Sequence, residues 1–208
     1  MIAPALFFSM GALIATAALA HDPAHQHHAT PAAAPSATKV VLRDVALLDT
    51  TGKRMRLAQE VIGGRIAVVN FIYTSCTTVC PVSSASFQQL QQRLGARLGK
   101  EVVLVSITVD PLRDTPQRLR EYAGRYQARE GWVWLTGAKP DVDSVLKGLG
   151  AYSARFEDHP ATVLVGDARG GPWTRFFGFP SVDELVARIE TMQAGRGAGK
   201  VAQHHGRE

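Results

Sequence analysis

The chain has 208 residues, 46% of them hydrophobic and 20% charged, which excludes a disordered or multi-span membrane protein and suits one folded domain with extensions. Its net charge of +5 arises from 23 basic and 18 acidic residues that are scattered along the chain. No Lys/Arg run with interleaved aromatics appears, so nucleic acid is excluded as a partner class.

Residues 1–20, "MIAPALFFSMGALIATAALA", carry no charge and end in Ala18-Leu19-Ala20, the small-x-small pattern that precedes signal-peptidase cleavage. The expectation is a signal peptide or, at about the minimum spanning length, an N-terminal anchor that would associate the chain with a membrane. Either places the protein in the periplasm or on the periplasmic face of the inner membrane, where paired thiols can be held as a disulfide. Residues 21–38, "HDPAHQHHATPAAAPSAT", are rich in Ala, Pro and His without apolar periodicity and read as a flexible linker. Cleavage after Ala20 would expose a free amine beside His21, His25, His27 and His28, a set able to gather a metal ion weakly; a solvated polar linker is the alternative.

The folded domain is expected over residues 39–192. "KVVLRDVALLD", the turn "TTGK" and "RMRL" predict an N-terminal hairpin around Gly52. "RIAVVNFIY" and "EVVLVSITV" are near-continuous apolar runs of the kind found in strands buried on both faces. "WVWL" is a shorter strand, and "ATVLVG", "DARGGP" and "WTRFFGF" predict a closing hairpin. Pro81, Pro116 and Pro140 each suit the first position of a helix, and Ser181 with Glu184 forms a capping box ahead of the last one. Strands alternating with helices give an α/β fold, a central mixed sheet flanked by helices in a thioredoxin-like arrangement. Residues 193–208 are Gly-rich and polar and read as a flexible tail.

"NFIYTSCTTVCPVSSASF" holds Cys76 and Cys80, the two cysteines of the chain. They are a structural staple, a redox pair or two metal ligands. If Pro81 opens a helix, Cys80 lies at or beside the N-cap and both sulfurs sit at a helix N-terminus, where the dipole favours a thiolate. A staple closing so few residues constrains little chain entropy. The Cys-x-x-x-Cys spacing departs from the Cys-x-x-Cys of thioredoxin-type reductases, and the longer loop lets both sulfurs turn outward toward one ligand. Of the seven histidines, His159 alone lies in the domain, before a strand, so a Cys76/Cys80/His159 site can be drawn. Soft thiolates select Cu(I), and an imidazole lets the same site keep Cu(II).

These residues resemble the Sco/SenC copper chaperones over roughly residues 40–192. The likeness rests on "YTSCTTVCP", "SITVDPLRDTPQRLREYA", "WLTG" and "DHPATVLVGD", in that order. It implies a thioredoxin-like fold in which Cys76, Cys80 and His159 bind one copper ion, and in which the cysteines form a disulfide when oxidised. The implied partner is the copper-receiving subunit of cytochrome c oxidase, or another periplasmic copper protein, served by a monomer. Asp110 of the Asp-Pro-x-x-Asp-Thr-Pro motif ends a central strand and is expected to stand behind the copper ligands without binding the ion, while Asp114 or Thr115 caps a helix. The alternative is an enzyme, a periplasmic thiol-disulfide oxidoreductase that reduces the cysteines of the copper-receiving partner.

Overall fold

The computed structural model describes residues 34–205, with side chains to residue 196. The expected signal or anchor over 1–20 and the histidines at 21, 25, 27 and 28 lie outside the described residues. Among the described residues, no helix is long and apolar enough to cross a membrane.

The centre of the molecule is a six-stranded mixed sheet, and its two middle strands are the two long apolar runs. β4 (Ile66–Ile72) and β5 (Val102–Thr108) pair in parallel and are buried at all seven positions of each. Side chains alternate between faces of a strand, so both faces of these strands must be covered. Ile66, Val68 and Ile72 meet α1 (Val79–Leu94), α2 (Pro116–Arg125) and α4 (Val182–His205) on one face. Ala67, Val69 and Phe71 meet α3 (Lys139–Gly148) and the hairpin of β2 (Ala46–Leu48) and β3 (Arg54–Arg56) on the other. Gly52 turns that hairpin at φ 85°, a conformation favouring glycine. β6 (Trp132–Leu135) extends the parallel side, while β7 (Thr162–Asp167) pairs antiparallel with β4 and forms the closing hairpin with β8 (Trp173–Phe177), as expected.

The structure departs from expectation at both ends of the domain. β1 (Ser36–Thr38) pairs with β8 at the sheet edge, inside the segment read as linker. An edge strand is held by backbone hydrogen bonds, so its Ser/Ala/Thr composition carries no apolar signal. At the other end, α4 continues through the segment read as a tail. Gln193 bonds Arg97 and Glu101, and Arg196 bonds Asp167 and the Gly64 carbonyl, so this helix is tied down by polar contacts beyond its apolar stripe.

Helix starts were legible, with two shifts. Thr115 caps α2, accepting from the Arg118 N–H at 3.3 Å, and Pro116 is its first residue. Ser181 and Glu184 bond reciprocally ahead of α4. α3 begins at Lys139, one residue before Pro140. α1 begins at Val79, which makes Cys80 its second residue and Pro81 its third. The first-turn N–H groups of a helix have no partner within it, so proline is tolerated there as well as at the first position.

Candidate metal centre

β4, β5 and β6 run in parallel, so the segments that follow them gather at one end of the sheet. Cys76 sits in the turn after β4, where its N–H donates to the Tyr73 carbonyl at 3.1 Å. Thr78 is the N-cap of α1, but its side chain makes no capping bond. The Cys76 sulfur does that work, accepting from the Cys80 N–H at 3.3 Å. The fold thus brings the two cysteines together at a helix N-terminus, where the backbone favours negative charge on sulfur.

The two thiols are free and unequal. Burial alone would push the Cys76 thiol up, but donation from the Cys80 thiol and N–H, the Thr78 N–H and the Tyr73 hydroxyl outweighs it and brings Cys76 down to about 7. Burial holds the Cys80 thiol far above its ordinary value, and its role as donor to Cys76 adds to that. Tyr73, itself raised to about 12 by burial and then by its Cys76 contact, stays protonated and able to donate. Expectation had both sulfurs turned outward. Instead Cys80 is 1% exposed and packed in the apolar cluster under α1, leaving Cys76, at 6%, as the more accessible one.

His159 reaches the same end of the sheet but does not meet the sulfurs. Its Nε2 lies 3.2 Å from the Phe71 carbonyl and its Nδ1 3.1 Å from the Pro160 carbonyl. Burial pushes this imidazole below its ordinary value, toward the neutral form. A neutral ring can donate to one carbonyl only, so its other nitrogen turns a lone pair on an oxygen, a contact readily given up. The ring stands edge-on to Tyr73 at 6.5 Å, so Tyr73 links the histidine limb to the cysteine limb. Among the described residues, no group of three His, Cys, Asp or Glu side chains is arranged to hold a metal ion. The Cys76 sulfur could meet a soft ion, the Cys80 sulfur could join it only on losing its proton, and the imidazole could join only by leaving Phe71.

A family model described as SCO1/SenC matches residues 33–194. The chain belongs to the SCO1/SenC family. It is 36% identical over 87 residues to the SCO1 protein homolog of Bacillus subtilis, covering 41% of this chain and 44% of that protein. It spans half or less of the length of this and the other curated relatives it matches first. Among solved structures, it shares the fold of BsSco, described as a member of the Sco family of cytochrome c oxidase assembly proteins with a disulfide switch. That match has TM-score 0.64 at 23% identity and covers 75% of this chain and 95% of the other. ScoI of Arabidopsis thaliana, solved with copper bound, matches with TM-score 0.60 at 23% identity over 72% of this chain and 96% of the other.

Within this SCO1/SenC chain, the two aspartates of the Asp-Pro-x-x-Asp-Thr-Pro segment make different contacts, and Thr115 rather than Asp114 is the cap. The Asp110 carboxylate pairs with Arg113 at 2.9 Å. Asp114 does not cap α2 but turns inward to accept from the Thr74 N–H and hydroxyl and the Thr108 hydroxyl, so it is the aspartate that reaches the cysteine turn. Residue reading also passed over Asn70, Ser106 and Trp132, which form a buried chain. Asn70 donates to Ser83 of α1 at 2.9 Å, and the Ser106 hydroxyl donates to Asn70 at 2.7 Å while accepting from Trp132 at 3.0 Å. A signal existed, because one amide and one hydroxyl interrupt two otherwise apolar strands, and buried polar groups require partners.

Proposed function

We propose that this chain is a copper chaperone, which takes one copper ion, Cu(I) or Cu(II), on Cys76, Cys80 and His159 and delivers it to the copper centre of a respiratory cytochrome c oxidase. The observation that carries this reading is the pairing of a thiolate-prone Cys76 with Cys80 at the N-terminus of α1, in a chain of the SCO1/SenC family. Copper is cargo here, and the copper-bound ScoI relative and the assembly role of the Sco family support that choice.

Each residue has a definable part. Cys76, ionised near neutral pH, meets the ion first. Cys80 binds only by releasing the proton that burial holds on it, so loading releases protons and weakens as pH falls. His159 joins by turning away from the Phe71 carbonyl. Three separable donors also allow handover to an acceptor one bond at a time. An oxidising compartment suits this chemistry, since the unloaded pair can be stored as a disulfide.

The test is anaerobic Cu(I) titration of the reduced chain, with X-ray absorption counting the donors. The expected result is one tightly held ion with two sulfurs and one or two nitrogens, and loss of that defined site in His159→Ala. An all-nitrogen shell, or unchanged stoichiometry and affinity in His159→Ala, would sink the reading.

The asymmetry of the thiols supports a second reading, thiol-disulfide exchange. The Cys76 thiolate attacks a partner disulfide and displaces one partner thiol. Cys80, deprotonated, then attacks the Cys76 sulfur, which closes the Cys76–Cys80 disulfide, releases the second partner thiol and passes two electrons to the partner. This activity would survive His159→Ala and vanish in Cys76→Ser, the reverse of the copper result for His159.

A further inference from the structure

Asp114 is a carboxylate 1% exposed to solvent, and neither the copper reading nor the thiol-exchange reading gives it a task. Its position does. The Oδ1 atom accepts the Thr74 hydroxyl at 2.5 Å and Oδ2 the Thr108 hydroxyl at 2.5 Å, while the Thr74 N–H lies 3.1 and 3.2 Å from the two oxygens. The Asp114 backbone carbonyl accepts the Thr136 hydroxyl at 2.6 Å. Thr74 follows β4, Thr108 ends β5 and Thr136 follows β6, so a single residue joins the carboxyl ends of three adjacent strands. Arg113, the adjacent cation, pairs instead with Asp110. Three donors converging on two oxygens suit a carboxylate, which is an acceptor at both atoms.

Thr74 begins the turn that carries Cys76, and the far end of that turn is held by the Cys80 N–H on the Cys76 sulfur. We infer that Asp114 is the positioning residue of the sulfur pair, clamping Thr74 onto β5 and β6 and so holding Cys76 in register with Cys80 for thiolate chemistry. For copper this rests on the proposed function; for the thiols it stands alone. A charge-assisted hydrogen bond accepted by a buried carboxylate is about twice as strong as a neutral one, which suits holding a short turn against a helix start.

The experiment compares full-length Asp114→Ala, Asp114→Asn and a core-thinning control on the opposite face of the sheet, Val61→Ala. Two equilibria are read on each: the thiol-disulfide equilibrium of the Cys76–Cys80 pair against glutathione, and Cu(I) affinity by competition with a chromophoric chelator. Asp114→Ala is expected to lower the disulfide equilibrium constant severalfold and Cu(I) affinity by roughly 10–100-fold, the usual cost of losing a partner behind metal ligands. Asp114→Asn keeps one acceptor oxygen, and its amide can face a hydroxyl that turns to accept, so most of both values should return. Val61→Ala should leave both values at wild type.

Wild-type values in Asp114→Ala, or equal losses in Val61→Ala, overturn the proposal. A glutathione equilibrium that moves with Asp114, in a chain whose wild type binds Cu(I) without sulfur, supports the clamp and refutes the copper reading. Should Asp114→Ala fail to fold, Thr74→Ala removes one clamped hydroxyl; it is expected to shift both equilibria in the same direction by a smaller factor, and no shift would overturn the inference.

Discussion

The two ends of the central sheet are built for different purposes. At the amino ends of β4 and β5, two guanidinium groups are bolted to fixed acceptors. Arg65 donates to the carbonyls of Glu60, Val61, Ile62 and Gly99, and Arg196 donates to the Asp167 carboxylate at 2.7 Å and the Gly64 carbonyl at 3.1 Å. The Trp173 indole fills the space over Gly166, where a Cβ would overlap the ring. At the carboxyl ends, apart from the contacts of Asp114, the polar groups are reversible: a thiol that can ionise, a thiol that can lose its proton, and an imidazole between two carbonyls. The buried Thr162 hydroxyl, two residues beyond Pro160 at the start of β7, has no partner. Stability and reactivity are thus separated along the strand direction, and a sulfur site can rearrange without loosening the sheet that carries it.

The sharpest way to break this division is at the bolted end. Trp173→Ala should cost about 3–5 kcal/mol of stability by chemical denaturation, the usual range for a buried tryptophan, yet leave Cys76 reactivity in the folded fraction unchanged. A change in that reactivity would mean the ends are coupled. Arg196→Ala should cost about 1–3 kcal/mol by the same measurement, because the Asp167 carboxylate, with its side chain only 10% exposed, would be left without its charged donor.

At the reactive end, the expected effects are on titration. The alkylation rate of Cys76 should rise with pH to half its plateau near pH 7 in the folded chain. In the urea-unfolded chain, the midpoint should return toward the ordinary thiol value of 9.0. The sign follows from the donors: contacts that stabilise the thiolate lower the pH at which it forms. Cys80→Ala removes the thiol donor while keeping the N–H, so its midpoint should lie above that of the wild type. Tyr73→Phe should shift it upward by the least, since the hydroxyl is the weakest of the donors acting on Cys76. A downward shift in either variant would refute this account of the site.

Much of the architecture was legible residue by residue. The two apolar runs became β4 and β5, "DARGGP" became the β7–β8 turn, and Thr115 and Ser181 became caps. Asp110 and Asp114 show where reading along the chain fails. They lie four residues apart in one loop, and both were read by local rules, one as the end of a strand and the other as a cap. The role of Asp114 is set by what lies across the sheet, Thr74 on one side and Thr136 on the other, whereas Asp110 pairs with Arg113 three residues on. Asn70 and Ser106 were hidden for the same reason, since each is satisfied by a residue from a different element.

The sequence by itself determined which segments are strands and helices, that two cysteines stand at a helix start, and which histidine belongs to the domain. Those features depend on contiguous residues: apolar runs, caps and spacing. The tertiary structure decided which thiol is the more accessible and more readily ionised, where the imidazole rests, and which aspartate reaches the cysteine turn. These depend on the register of β4, β5 and β6, which brings Thr74, Thr108, Asp114 and Thr136 together although up to 62 positions separate them in the chain. Burial and hydrogen-bond geometry exist only once that register is set.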